Sequence, residues 1–296
     1  MSPQPRFAFQ HPGLDRAEAL RDQPDALADR WPQAQVLVID VEGQARITGS
    51  LDAPVFPHGR DLVAEFPQAA SFLGLDGETS WFALPASALR ELPEPGFDLR
   101  SAATRWPALE ASIFAEARAL LHWQLRNRFC GSCGQAMTLI RGGFAARCAH
   151  CGLEHYPRTD PAIIVAVSDG ERLLLGRQAD WPENRWSVLA GFVEPGESLE
   201  QTVIREVMEE AGVRVRSCRY AGSQPWPFPS ALMLGFHAEA EAQEVNVGPE
   251  LQAARWFSAD ELLAQIAAGD LKLSPRLSIS RWLIEDWLGQ RGISVL

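Results

Sequence analysis

The sequence lacks any long apolar run. No stretch of the 296 residues approaches the roughly 18 consecutive apolar residues that a membrane span requires. The first residues, MSPQPRFAFQ, lack the basic head and apolar segment of a secretion signal. These two absences argue against membrane and secreted classes, so we expect a soluble, cytoplasmic protein. Internal repeats and low-complexity tracts are not visible in the sequence either.

Positive charge is scarce in the chain as a whole. Lys and Arg number 27 against 38 Asp and Glu, which gives a net charge of −11. Such a balance disfavours unspecific binding to nucleic acid or anionic membranes over most of the surface. Residues 118–158 differ, because they contain one acid, Glu154, and six arginines: Arg118, Arg126, Arg128, Arg141, Arg147 and Arg158. We expect this basic segment to accommodate an anion.

Length and pattern predict four consecutive regions. At 296 residues the chain is long enough for about two domains. Predicted hairpins around 41–43 and around 76–77 make residues 1–100 a small mixed α+β domain. Helical spacing of apolar residues over 107–127 predicts a connecting helix, assigned to residues 101–127. A cysteine-rich region follows at 128–156. Residues 157–296 interleave strands and helices, as a layered α/β domain requires.

The elements of this last region can be predicted in some detail. Strands are expected at 162–168, 172–176, 186–189, 231–238 and 254–257. A helix should follow the cap at Ser258 and stop near Gly269. A last helix should start at Ser274-Pro275, with proline in its first turn.

Residues 191–213 read GFVEPGESLEQTVIREVMEEAGV, a loop running into a helix. Ser198 and Gln201 have capping-box spacing, and Gly212 is a natural stop. Residues three and four apart are neighbours on a helix, so Glu206, Glu209 and Glu210 share one face and repel one another. A divalent cation with oxygen ligands would reverse that cost. A solvated acidic helix face is the alternative interpretation.

The spacing of this segment resembles the Nudix box at every defined position, from Gly191 through Glu197 to Arg205-Glu206 and Glu209-Glu210. The resemblance covers about residues 157–290. It implies an α/β/α sandwich fold and hydrolysis of nucleoside diphosphates linked to another moiety. It also implies Mg²⁺ or Mn²⁺ at the box glutamates.

Four cysteines have the spacing C-x2-C-x14-C-x2-C: Cys130, Cys133, Cys148 and Cys151. This is zinc-ribbon spacing, and four sulfur ligands close a tetrahedral site, so we expect one structural zinc per chain. Two disulfides are the alternative, which the missing secretion signal disfavours. His150 is expected to face solvent, and Cys218 has no predicted function.

Ten residues beyond the box the chain reads SQPWPFPS, from Ser223 to Ser230. Its prolines favour an extended backbone that holds two aromatic faces in place for stacking on bases. The alternative is a connection whose aromatics fill the core. The segment looks like the signature of the NADH pyrophosphatase subfamily of Nudix hydrolases. It departs from that signature once, at Ala231, where a serine is expected.

The resemblance implies a set of site residues. Divalent metal would be bound by the carbonyl of Ala190 and by Glu206, Glu209, Glu210 and Glu250. Glu209 is the expected general base, and Arg205 is expected to orient Glu197. The implied substrate contacts are Tyr156, Ser223, Gln224, Pro225, Trp226, Pro227, Phe228, Pro229, Ser230 and Ser280, the last reached from a partner helix in a homodimer.

The predicted activity is therefore metal-dependent hydrolysis of the diphosphate bond of NADH or NAD⁺ to nicotinamide mononucleotide and AMP. Removal of the NAD cap from RNA 5′ ends is an extension, motivated by the basic segment. A Nudix hydrolase for ADP-ribose or dinucleoside polyphosphates is one alternative. The other is a zinc-ribbon RNA-binding protein whose Nudix domain senses a nucleotide.

Overall fold

The computed structural model describes residues 7–293. The strands are β1 Gln35–Ile39, β2 Ala45–Arg46, β3 Thr48–Ser50, β4 Ala53–Val55, β5 Ser71–Asp76, β6 Thr79–Pro85, β7 Gly96–Phe97, β8 Met137–Ile140, β9 Ala145–Cys148, β10 Glu154–His155, β11 Asp160–Ser168, β12 Arg172–Arg177, β13 Arg185–Trp186, β14 Leu189–Phe192, β15 Val215–Trp226, β16 Ala231–Ala240, β17 Ala253–Ser258 and β18 Lys272–Leu273. The α-helices are α1 Pro24–Arg30, α2 Gly59–Leu62, α3 Leu99–Arg105, α4 Ala108–Arg126, α5 Leu199–Ala211, α6 Ala259–Ala268 and α7 Ile279–Gly289. No helix within 7–293 is long and apolar enough to cross a membrane.

The chain divides into two compact units. Within the described residues, the C-terminal unit comprises Asp160–Trp226 and residues 231–293, together with Phe7. The N-terminal unit comprises Ala8–Thr159 and, from the middle of the predicted signature, Pro227–Ser230. The four consecutive regions predicted from the sequence thus correspond to two packed units, and the connecting helix and the ribbon both belong to the first.

The C-terminal unit is built on one mixed sheet. Its strand order is β15-β16-β11-β12-β17, with β14 also pairing to β11. The β11–β16 pair is parallel, and the other pairs are antiparallel. Successive residues of β11 point to opposite faces, so Val165 joins a core with Val207 of α5, and Ile164 joins a core with Leu283 of α7. This is the predicted α/β/α sandwich.

Three predicted elements of this unit need correction. The strand expected at 186–189 is two strands, β13 and β14, separated by Ser187 and Val188, and Ser187 bridges to Gly176. The last helix begins at Ile279 rather than at Ser274-Pro275, because Ser278 is the residue whose side chain accepts the N–H of Arg281. The twelve-residue strand β15, which contains the first half of SQPWPFPS, is not predicted at all.

The N-terminal unit repeats the sheet of the C-terminal unit. Its order is β5-β6-β1-β2-β7, with β1 parallel to β6 and the other neighbours antiparallel. Both predicted hairpins, β1–β2 and β5–β6, are confirmed. The repeat lies in strand order and direction rather than in residue identity, which is why the sequence does not reveal it.

Helix α4 is confirmed close to its predicted limits, but it is more than a connector. Its apolar face places Ile113, Phe114 and Leu121 in the core of the N-terminal unit. Ala146 of the ribbon strand β9 joins the same core, and Gln124 donates to the carbonyl of Gly143 at 2.8 Å. The three-stranded ribbon β10-β9-β8 therefore packs on the core formed by α4 and the domain before it.

Candidate metal and substrate sites

Helix α5 starts and ends where local signals place it. The Ser198 side chain accepts the N–H of Gln201 at 3.3 Å, and the Gln201 side chain accepts the N–H of Ser198 at 2.7 Å. Two backbone donors at the helix start are thereby satisfied. Gly212 ends the helix in the left-handed conformation, with φ 65°. These signals fix the ends of α5, and the packing of Val203 and Val207 in the core sets which face of the helix, and so which glutamates, are buried.

The three box glutamates differ in exposure. Glu206 is 8% exposed and Glu210 is 4% exposed, whereas the Glu209 side chain is 59% exposed. Burial raises the pKa of Glu206. It raises the pKa of Glu210 to about 8, and the charges of Glu206 and Glu250 add to this shift. Two buried carboxylates in one place are costly without a compensating cation.

The surroundings of the buried pair fit a cation. The backbone N–H of Ala190 donates to the Glu210 carboxylate, while Oε2 of Glu210 is buried without a hydrogen-bond partner. Such orphaned oxygens are rare in native proteins and call for an explanation. The Glu206 carboxylate lies so close to Gly191 that a Cβ there would overlap it. Glycine at this position lets the helix carboxylate approach the backbone of β14.

The loop before β17 closes the C-terminal end of α5. The N–H of Asn246 donates to the carbonyl of Ala211 at 2.9 Å, and the N–H of Gly248 donates to the carbonyl of Glu210 at 2.9 Å. A Cβ on Gly248 would overlap the carbonyl of Glu209, so only glycine fits. Sequence reasoning missed Gly248, for which Gly-Pro before Glu250 is the one local signal. The loop brings the exposed Glu250 within electrostatic reach of the buried pair.

Arg205 is the cation that faces these carboxylates. Its guanidinium binds both oxygens of Glu197, at 2.6 and 3.0 Å, as the sequence predicts. This pairing lowers the pKa of Glu197 to about 2. Arg205 also donates to Glu206 and Glu209, each at 2.9 Å, and to the carbonyl of Phe192 at 2.9 Å. The Arg205 side chain thus connects the box loop, the end of β14 and α5.

Across residues 7–293, the four cysteines are the one group of three or more metal-binding side chains whose ligand atoms all lie within 4.8 Å of one another. Three of their Sγ–Sγ distances are 3.5 to 3.6 Å. A tetrahedral zinc with bonds of about 2.3 Å requires about 3.8 Å between sulfurs, so the cluster fits that ion. His150 is exposed, as expected, and the thiol of Cys218 lies outside the cluster.

The predicted substrate signature divides between the two units. Ser223–Trp226 lie in β15, paired with β16, and Pro227–Ser230 belong to the N-terminal unit. The side chain of Gln224 is fully buried. Its amide donates to the carbonyl of Leu277 at 2.7 Å and accepts the N–H of Ile279 at 2.8 Å. Both polar ends of Gln224 are thus engaged at the start of α7, and its direct contact with a substrate stays a prediction.

Phe228 also has a structural position. Its ring lies between the guanidinium groups of Arg100, at 4.0 Å from the ring centre, and Arg118, at 4.9 Å. Arg118 also donates to the carbonyl of the buried Pro227. Phe228 packs against the core of the N-terminal unit. This packing favours the alternative in which the aromatic fills the core, and stacking of Phe228 on a base stays a prediction.

The remaining predicted contacts fall into two groups. Ser280 is 4% exposed, and its hydroxyl lies 2.7 Å from that of Ser187, so its side chain is occupied within its own unit. Tyr156 is 57% exposed and donates to Glu154 at 2.6 Å. Sequence reasoning gave no role to Phe192, which is 61% exposed at the end of β14, directly after Gly191.

Three family models match consecutive parts of the chain. Residues 157–277 match the NUDIX domain, residues 125–156 the NADH pyrophosphatase zinc ribbon domain, and residues 30–123 the NADH pyrophosphatase-like rudimentary NUDIX domain. The last match agrees with the repeated sheet described above, and the second with the cysteine cluster.

Similar proteins span nearly the whole chain. The NAD-capped RNA hydrolase NudC of Mycobacterium bovis (strain BCG / Pasteur 1173P2) is 39% identical over 295 residues, covering 93% of this chain and 92% of its own length. The protein of the same name from Pseudomonas syringae pv. syringae (strain B728a) is 48% identical over 170 residues, covering 57% of this chain and 58% of its own. A crystal structure of a NUDIX hydrolase from Nitrosomonas europaea matches with TM-score 0.46 and 25% identity, over 57% of this chain and 96% of its own.

Proposed function

Because this chain belongs to the NADH pyrophosphatase subfamily of Nudix hydrolases, we propose that it hydrolyses the diphosphate bond of NADH or NAD⁺ to nicotinamide mononucleotide and AMP. The NAD cap at an RNA 5′ end contains the same bond, and we include it among the substrates. The observation that carries the proposal is the buried pair Glu206 and Glu210, with one carboxylate oxygen of Glu210 lacking a partner.

The metal site of the proposed enzyme comprises the carbonyl of Ala190 and the carboxylates of Glu206, Glu209, Glu210 and Glu250. Oxygen ligands of this kind suit Mg²⁺ or Mn²⁺. When bound, the ion supplies charge neutralisation at the diphosphate and lowers the pKa of an attacking water. Support comes from the desolvation of the two inner carboxylates and from the electrostatic effect of Glu250 on both.

Glu209 is the proposed general base. It is the box glutamate whose side chain reaches solvent, and Arg205 holds it at 2.9 Å. In the reaction a water oxygen bonds to phosphorus, the bond from that phosphorus to the bridging oxygen breaks, and the other phosphate leaves with the bridging oxygen. Glu209 accepts the proton of the water. Arg205 and Glu197 act as positioning residues, since their contacts are with each other, the box loop and the glutamates.

Substrate contacts are proposed for the accessible part of the predicted set. Tyr156, Pro225 and Pro229 are exposed, and Ser223, Trp226 and Ser230 are half-buried. We add Phe192, because an aromatic ring that is 61% exposed beside the box offers a face for a nicotinamide or adenine ring.

A product assay tests the function. The full chain is incubated with NADH, NAD⁺, ADP-ribose, a dinucleoside polyphosphate or NAD-capped RNA, each with Mg²⁺ or Mn²⁺, and the products are separated. We expect nicotinamide mononucleotide and AMP from the dinucleotides and a 5′-monophosphate RNA from the capped substrate. Faster cleavage of ADP-ribose or of the dinucleoside polyphosphate than of NADH would replace this proposal with the alternative hydrolase.

A homodimer and a cytoplasmic location also stay proposals that rest on the resemblance and on the sequence. Light scattering tests the first, and we expect twice the mass of the 32.6 kDa chain.

A further inference from the structure

Four arginines of the basic segment 118–158 have partners in the structure. Arg141 lies 2.6 Å from Glu18 and 3.6 Å from Asp22. Arg147 is paired with Glu154, and Arg118 is partly buried against Phe228. Arg158 has a partner as well. The formal excess of positive charge in the sequence is therefore much smaller on the folded surface.

Two arginines are the exception. Arg126, the last residue of α4, and Arg128 are both exposed. No carboxylate in the described part of the chain lies within ion-pair distance of either. Arg118, His122 and Arg126 lie on successive turns of α4, and burial together with the charges of the two arginines lowers the pKa of His122. In a chain of net charge −11, this is a local concentration of uncompensated positive charge.

An exposed aromatic ring continues the same surface. Phe129 is 61% exposed, and the guanidinium carbon of Arg128 lies 5.9 Å from the centre of its ring. The backbone here is fixed by the ribbon: the N–H of Met137 donates to the carbonyl of Arg128 at 2.9 Å, and Phe129 bridges to Ala136. The next residue, Cys130, belongs to the zinc cluster. The ring is therefore held at the surface by a rigid support instead of being sheltered in a core.

Uncompensated cations beside a fixed, exposed aromatic are the two features that bind single-stranded nucleic acid without regard to sequence. Cations contact phosphates, and an aromatic face accepts any base. We propose that Arg126, Arg128 and Phe129, here called the α4–ribbon surface, bind the single-stranded RNA body of a capped substrate. Arg126 and Arg128 contact phosphates, and Phe129 stacks on one base. The inference rests on the proposed function, because the cap brings RNA to the enzyme.

The first experiment compares two double variants of the full chain. Arg126→Gln with Arg128→Gln removes the proposed phosphate contacts. Arg60→Gln with Arg90→Gln removes two exposed arginines elsewhere in the same unit and serves as the control. kcat/KM is measured for NAD-capped RNA and for NADH over a range of salt concentration. We expect the first variant to flatten the logarithmic salt slope for capped RNA by about 1.4, since each phosphate that an arginine neutralises adds about 0.7 to the slope for a single strand.

NADH is the internal reference, since it carries no RNA body. Its hydrolysis should be the same in both double variants and in the unchanged protein. Equal salt slopes for capped RNA in the two double variants would overturn the inference. So would a salt slope for capped RNA that matches the slope for NADH in the unchanged protein.

The second experiment is independent of catalysis. Fluorescence anisotropy measures binding of an uncapped, labelled single-stranded RNA to the unchanged protein and to Phe129→Leu, which keeps an apolar side chain but removes the aromatic face. We expect at least about fivefold weaker binding, as is typical when a base loses its stacking partner. Unchanged affinity would show that Phe129 does not contribute to RNA binding. If the protein cleaved none of the dinucleotides, the proposed function would fail, while this binding measurement would still decide the inference.

Discussion

The two units share one order of five sheet strands, but they differ in the helix that precedes the first of these edge strands, β5 or β15. In the C-terminal unit, α5 has thirteen residues and lies between β14 and β15. In the N-terminal unit the corresponding position, between β4 and β5, is occupied by the four-residue helix α2. A helix of one turn cannot align three carboxylates on one face and bury two of them. The two units therefore share a strand order, and the length of this helix decides which of them can carry a metal site built from carboxylates.

The interiors of the two units differ in the same way. Among the described residues, the buried polar residues of the N-terminal unit are Ser71 and Ser80. The C-terminal unit buries eight polar side chains, including Glu206, Glu210 and Gln224. Buried polar groups reduce stability unless they are paired. The interior of the N-terminal unit is thus almost entirely apolar in its residue types, whereas the C-terminal unit buries polar and charged residues, two of which belong to the proposed metal site.

The largest effect on stability is expected at the zinc cluster of the N-terminal unit. Cys148→Ser should release the zinc and lower the free energy of unfolding by several kcal/mol, because structural zinc contributes about 10 kcal/mol or more in small zinc-folded peptides. Zinc per chain and thermal unfolding measure this. Cys218→Ser is the matched control and should keep one zinc per chain. Unchanged zinc content in Cys148→Ser would contradict the assignment.

Glu210→Gln, in the C-terminal unit, should lower activity far more than a similar substitution in the N-terminal unit. We expect kcat to fall at least about 100-fold, since loss of groups that merely support metal ligands costs 10–100-fold. Without metal, the variant should resist urea slightly better than the unchanged protein, because the unpartnered carboxylate oxygen of Glu210 is buried. Asp61→Asn, on α2 of the other unit, should change neither quantity. Near-normal turnover of Glu210→Gln would exclude Glu210 from the metal site.

Arg205→Lys should have an intermediate effect. Lysine keeps the positive charge but cannot bind both oxygens of Glu197 and also reach Glu206, Glu209 and the carbonyl of Phe192. We expect kcat to fall about tenfold with little change in KM, since the substituted side chain positions the glutamates. An effect confined to KM would indicate instead that Arg205 contacts the substrate.

The smallest effect concerns stability against pH. Arg205 lowers the pKa of Glu197 to about 2 in the folded chain, whereas an unfolded Glu has a pKa of about 4.3. The ionised form therefore stabilises the fold above about pH 4, and this contribution disappears as the pH falls toward 2. Urea unfolding of Glu197→Gln should show a deficit at pH 6 that shrinks toward zero near pH 2. A constant deficit would mean that ionisation of Glu197 does not matter.

Local signals account for the elements that the sequence predicts well. Ser198, Gln201 and Gly212 define α5 by contacts within a few residues, and the cysteine spacing defines the ribbon turns. Non-local partners account for the failures. Strand β15 forms because β16 pairs with it across the turn at 227–230, and a proline-rich segment gives no sign of that partner. Gly248 is required by the distant carbonyl of Glu209. The repeated strand order is not recognised from the residues, because different sequences can form strands that pair in the same order and direction.

The buried amide of Gln224 has a mechanical consequence. One end of this side chain is bound to the carbonyl of Leu277 and the other to the N–H of Ile279, so it connects the last part of β15 to the first turn of α7. The start of α7 is therefore tied to β15 by two hydrogen bonds. Ser280 is the second residue of that helix and lies against Ser187, between β13 and β14. The signature strand, the last helix and the segment between β13 and β14 are consequently linked by a run of side-chain hydrogen bonds from Gln224 to Ser187.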